Sequence, residues 1–106
     1  MRTEAERRHA NIDEKIVNAG YVIEQELRIS NAVIVLGVNP DLLDKEHTTP
    51  YVTWETDKDK KDFYWGHYFK DRYSAERDLV KRGNEKVRYF DRITGFYKQQ
   101  TERDER

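Results

Sequence analysis

Residues 51–69 read YVTWETDKDKKDFYWGHYF. Two aromatic, β-favouring runs flank one charged loop, a pattern that predicts a β-hairpin. Both tryptophans of the chain, Trp54 and Trp65, lie here with five of its eleven Phe and Tyr residues. The hairpin is therefore the candidate for both core and contact surface. In a regular strand successive side chains alternate between faces. Val52 and Trp54 then oppose Tyr51 and Thr53, while Phe63, Trp65, His67 and Phe69 oppose Tyr64, Gly66 and Tyr68. The alternation predicts an inward set of Val52, Trp54, Phe63 and Trp65 and an outward set of Tyr51, Tyr64 and Tyr68. Gly66 leaves a gap between Tyr64 and Tyr68 into which a partner group fits.

Upstream, residues 32–38 (AVIVLGV) are apolar at every position, as expected for a central strand covered on both sides. Gly37 within it marks a bulge or a close approach. Residues 21–29 alternate, with Tyr21, Ile23, Leu27 and Ile29 on one face and Gln25 as the exception. Ser30-Asn31 is the turn between these two strands. Residues 3–18 carry a helical pattern: Thr3 and Glu6 form a capping box, His9, Ile12, Ile16 and Ala19 recur at helical spacing, and Gly20 terminates it. The segment between Asn39-Pro40 and Pro50 is a long loop that Leu42 and Leu43 are placed to pin.

Downstream, residues 71–82 predict a helix capped by Asp71 or Ser74, with Tyr73, Leu79 and Val80 as apolar contacts and Gly83 as its end. Residues 84–97 fit a second helix through Val87, Phe90, Ile93 and Tyr97, although Val87, Tyr89 and Ile93 also fit a strand, and Gly95 weakens the helix. Residues 99–106 form a charged tail expected to be disordered. The chain thus reads as one α+β domain over residues 1–98. Its expected architecture is a four-stranded antiparallel meander with an N-terminal helix and one or two C-terminal helices.

The chemistry is narrowed mainly by exclusion. The 106 residues contain no cysteine, which removes disulfides, thiolate metal sites and thiol catalysis. The five glycines are scattered, at 20, 37, 66, 83 and 95, so no phosphate-cradling loop exists. Ser30 and Ser74 occupy a turn and a helix cap rather than a nucleophile elbow. His9, His47 and His67 are isolated in sequence, and a metal site requires them to converge in space with Asp44 or Glu46. Pro40-Asp41 with Asp59-Lys60-Lys61 superficially copies a metal-nuclease pattern, but Asp59 and Lys60 sit in the solvated hairpin loop rather than on rigid strands. Glu24 and Glu26 at i, i+2 are neighbours on one solvated strand face. No cofactor is implied. The charged start and the absence of a long apolar run point to a cytoplasmic chain.

Two binding readings remain. Net charge is −1, but residues 1–56 hold six Lys and Arg against ten Asp and Glu, and residues 57–106 hold fourteen against eleven. Between Lys70 and Arg92, eight basic residues face five acidic ones. Arg72, Arg77, Lys81, Arg82 and Arg88, interleaved with Tyr73, Tyr89 and Phe90, are candidates for nucleic-acid contact. The plainer reading is a salt-bridged exposed face, with Asp78 and Arg82 paired at i, i+4. On the hairpin, Tyr51, Tyr64, Tyr68 and His67 are candidates for protein contact. Cross-strand ring pairs that stabilise a thin sheet are the alternative for the same residues.

The block from Tyr51 to Trp54, followed by Phe63 to Phe69 and a charged helix, resembles small uncharacterised proteins of Gram-positive bacteria and their mobile elements. The resemblance covers the middle half of the chain. It implies no catalytic residue; it implies an accessory factor, a regulator or an inhibitor of a host system. The sequence reading is therefore a non-catalytic binding module whose partner is a protein met through the hairpin or the 39–50 loop. Nucleic-acid binding is the alternative and a metal-dependent hydrolase a distant third. An exposed aromatic sheet is also able to pair with a second copy as a homodimer.

Overall fold

The structure, a computed structural model, describes residues 15–95. Its elements in chain order are β1 (Val17–Asn18), β2 (Tyr21–Ile29), β3 (Ala32–Val38), a 3-10 turn (Pro40–Leu42), β4 (Tyr51–Asp57), β5 (Phe63–Phe69) and one helix, α1 (Arg72–Thr94). The five strands form one antiparallel sheet in sequential order, curled into a half-barrel. The α+β class and the meander are as expected from sequence. One strand is added, and of the one or two C-terminal helices expected there is one, which runs on through Gly83.

β3 organises the whole. Val33, Val35, Ile34 and Leu36 are all buried, so the strand needs cover on both faces. Ile34, Leu36 and Val38 pack under Ala75 and Leu79 of α1, with Leu27, Tyr51 and Phe69 at the margin. Val33 and Val35 pack on the opposite face with Tyr21, Val52 and Trp54, joined by Ile23, Leu42 and Phe63. Each fully buried aliphatic side chain contributes roughly 1.5–3 kcal/mol, so this one strand anchors both clusters.

At the start of the described residues, Val17–Asn18 is a strand rather than the end of a helix; residues 3–14 of the expected helix lie outside them. Ala19 and Gly20 both take positive φ, +51° and +87°, and connect the register pair Asn18–Tyr21. That is the two-residue hairpin geometry that matches strand twist, so Gly20 closes a hairpin instead of ending a helix. Ser30 likewise turns at φ +54° between Ile29 and Ala32.

In β2 the register steps between Ile23 and Gln25, leaving Glu24 as the extra residue of a bulge. The step puts Tyr21 and Ile23 on the Val33 face, and Gln25 and Leu27 on the helix face, which accounts for the sequence exception at Gln25. It also separates the two glutamates expected to be neighbours. Glu24 binds Arg72 of α1 at 2.5 Å, while Glu26 binds Lys60 at 2.6 Å.

The 39–50 loop is tied down. Asn39 N donates to Pro50 O, Tyr21 OH to Thr49 O, and Thr48 Oγ1 to the carbonyls of Leu42 and Lys45. Leu42 packs on the core as expected, but Leu43 is exposed. α1 starts at Asp71, whose carboxylate accepts from Ser74 N at 2.8 Å and is held below the usual carboxylate range by that bond. It ends at Gly95, left-handed at φ +70°, whose N–H returns to Asp91 O. Residues 85–94 are therefore helix, not strand. Residues 96–106, including the expected tail and Tyr97, lie outside the described residues. Tyr73 and Val80 are exposed rather than packed.

The helix passes through Gly83 because a side chain there would run into Leu27 of β2; the glycine permits close approach. Gly83→Val is expected to lower stability by roughly 1–3 kcal/mol through overpacking, read from urea unfolding midpoints. An unchanged midpoint would mean that α1 does not sit so close to β2.

Candidate functional site

The hairpin of β4 and β5 departs from alternation at one place. Thr53 pairs with His67 and Glu55 with Tyr64, so Trp65 and Gly66 together face Trp54. One extra residue shifts every later side chain to the other face. Phe63 and Tyr68 therefore lie on the Val33 face, and Tyr64, His67 and Phe69 on the helix face. Trp65 occupies the bulge with φ +52°, a left-handed conformation that bulky residues seldom adopt. Gly66 follows because a Cβ there would lie 2.8 Å from Trp54 Nε1 and 3.0 Å from the Tyr68 ring.

The bulge divides the rings differently from the sequence expectation. Trp54, 4% exposed, is the centre of a ring cluster: Tyr21 at 5.6 Å, Phe63 at 5.4 Å and Tyr68 at 6.4 Å between centroids. Trp65, placed in the core by alternation, is instead 70% exposed. It leans on Tyr64 at 5.7 Å, itself 45% exposed. The Asp62 carboxylate beside Tyr64 pushes its hydroxyl above the usual tyrosine range. Two shallow depressions of about 310 and 290 Å³ flank Trp65. One is floored by Ile34 and bordered by His67, Lys86 and Tyr89; the other reaches Ala32 and Phe90.

The protein-contact candidates fall in three places. Tyr64 borders this surface. Tyr68 is half exposed on the opposite face, resting against Tyr21 and Trp54. Tyr51 is half-buried under α1, with the Arg72 guanidinium 5.5 Å above its ring. Trp65 is the residue alternation missed; the trace of it in sequence is Gly66, a glycine inside a strand.

His67 belongs to a polar network that locks α1 to the sheet. Its Nδ1–H donates to Asp78 Oδ2 at 2.8 Å, and Thr53 Oγ1 donates to the same oxygen at 2.6 Å. Arg82 Nη1 donates to Thr53 O and Oγ1 at 3.2 and 3.1 Å. Arg82 is only 8% exposed, and burial pulls its pKa below the usual guanidinium value, opposed by Asp78, Glu55 and Glu85. Lys86 pairs with Glu55 beside it. An imidazole fixed on a carboxylate is half of an acid–base device. Here the neighbouring hydroxyl, Thr53, is fully buried and is not placed to attack a substrate.

The nucleic-acid candidates split. Arg72 is engaged by Glu24 and Arg82 is buried, whereas Arg77, Lys81 and Arg88 are exposed. The expected Asp78–Arg82 pair on an exposed face is replaced by two side chains that both turn inward onto Thr53. The signal was available: Ala75, Leu79 and Arg82 recur at the spacing of one buried helix stripe. His47 is exposed beside Glu46, His67 is committed to Asp78, and His9 lies outside the described residues. Among the described residues no group of three or more His, Asp or Glu is placed to share a metal ion. Lys60 of the nuclease-like pattern is spent on Glu26. No described helix is long and apolar enough to cross a membrane. Comparison of the chain with protein-family models, curated proteins and solved structures finds no match.

Asp78→Ala strips the acceptor from buried Thr53 and the countercharge from Arg82. The expected loss is about 2–3 kcal/mol in urea unfolding, with Asp78→Asn losing less because its amide oxygen still accepts from Thr53. A change under about 0.5 kcal/mol, the scatter of ordinary surface substitutions, would show the network to be ornamental.

Proposed function

We propose that this chain is a small, non-catalytic protein-binding module, and that Trp65 is the anchor of its contact surface. The observation that carries the reading is the bulge that holds Trp65 left-handed and 70% exposed. An indole outside the core contributes little to folding, and a left-handed backbone at a bulky residue costs of order 1–2 kcal/mol. Exposed Trp and Tyr are the side chains most enriched among interface anchors. Bulges near sheet edges re-aim side chains toward sites, and β5 is an edge strand. Tyr64, Tyr89 and Phe90 extend the apolar surface, and Lys86, whose ammonium stands 5.5 Å from the Tyr89 ring, borders it. A regulator or inhibitor that works by occupying a partner's surface needs no more than this.

Trp65→Asn separates anchoring from folding, because Asn tolerates positive φ better than Trp. The variant is expected to unfold at the same or a higher temperature than the natural chain. In affinity capture from the native host it is expected to hold its protein partner about thirty-fold more weakly, the loss of roughly 2 kcal/mol that marks an anchor residue. Equal capture by both chains would end the assignment of Trp65.

A further inference from the structure

The outer side of α1 carries a second surface, distinct from the Trp65 depressions. Ala75, Leu79, Arg82 and Gly83 face the sheet. At 100° per residue, Arg77, Lys81, Arg88 and Arg92 fall within about 60° of one another on the opposite side, spread over about 22 Å of helix. All four are exposed, and none makes an ion pair with another described residue.

What makes this stripe cationic is where the nearby acids go. Asp71 caps the helix, Glu76 accepts from Gln25 on β2, and Asp78 is drawn inward by Thr53 and His67. Glu85 lines the depression beside Arg82 and Lys86. Five acids in the segment therefore leave four cations in line, with only Glu85 and Asp91 at the edges. Tyr73, 74% exposed, stands at the N-terminal end of the stripe and lines one concavity with Arg77 and Lys81; Asp78 also lines it, with its carboxylate held by Thr53 and His67.

We infer that this face binds the phosphodiester backbone of a nucleic-acid strand, with Tyr73 offering a ring on which a base stacks. Cations in line that make no ion pair among the described residues are complementary to a line of phosphates and gain by counterion release. An exposed tyrosine beside them is the stacking element of single-strand sites. An anionic membrane would want Trp, Phe or Leu beside the cations; among the described residues the flanks offer Tyr73, Val80, Val87 and Tyr89.

The test is fluorescence anisotropy of a labelled oligothymidylate of about 20 nucleotides, longer than a single-strand site, titrated with the full chain over a range of salt. Four phosphate contacts predict a slope of log K against log salt of about −2.8, since each contributes about −0.7 on a single strand. The triple substitution Arg77→Gln, Lys81→Gln, Arg88→Gln leaves one contact, so the slope is expected to fall to about −0.7 and affinity at low salt by tenfold or more, with the thermal melt unchanged. Trp65→Asn is expected to bind the oligonucleotide as the natural chain does. Binding that is absent at low salt, indifferent to the triple substitution, or lost in Trp65→Asn would overturn the inference. So would capture by phosphatidylserine vesicles without any by the oligonucleotide.

Discussion

Burial of β3 on both faces is the constraint from which the rest of the structure follows. A seven-residue strand with Val33, Ile34, Val35 and Leu36 all out of water has no solvated side to spare. One face needs a helix, which Ala75 and Leu79 anchor. The other needs bulk from the neighbouring strands, which Tyr21 and Trp54 supply. The long polar helix is stable because a short apolar stripe and one buried ionic network fix it; Thr53, Asp78, Arg82 and His67 set where along the sheet it lies. Removing Asp78 would leave buried Thr53 and Arg82 without their acceptor and countercharge, which is why the network bears on stability as well as on where the helix sits.

The two bulges reconcile this core with the surface. A strict two-residue period on β2 would send Gln25 to the same face as Tyr21 and Ile23. The extra residue at Glu24 turns Gln25 toward Glu76 and frees Glu24 for Arg72. On β5 a strict period would stack Trp65 beside Phe63 against Trp54, where the ring cluster already fills the space. The extra residue at Trp65–Gly66 lets Trp54 close over a glycine and puts the second indole outside. The exposure of Trp65, on which the proposed contact surface rests, is thus a by-product of core packing on the other face of the same strand. That coupling explains why Gly66 and Trp65 occur together.

Much of the architecture was legible in the sequence. The unbroken apolar run at 32–38 announces a doubly covered strand, the turn residues at 30–31 and the charged loop at 57–62 mark hairpins, and Asp71 marks the helix start. What stayed hidden depends on residues distant in sequence. Gly83 looks like a helix end until Leu27 is seen beside it, and Gly20 looks like one until Val17 and Asn18 pair with β2. Alternation cannot reveal a bulge that breaks it; Gln25 and Gly66 were the traces. The basic segment after Lys70 was visible as composition, but its division into Arg72, paired with Glu24, buried Arg82, and outward Arg77, Lys81 and Arg88 required the helix phase to be set by Ala75 and Leu79.

The claim on which this account turns is that the two tryptophans of one hairpin live in opposite environments. Acrylamide quenching of the single-tryptophan variants Trp54→Phe and Trp65→Phe measures that directly. The chain that keeps Trp65 is predicted to be quenched nearly as freely as an indole in solution, while the chain that keeps Trp54 is strongly protected. Equal protection of both indoles would mean that β5 runs without its bulge, that Trp65 belongs to the core, and that the proposed contact surface does not exist.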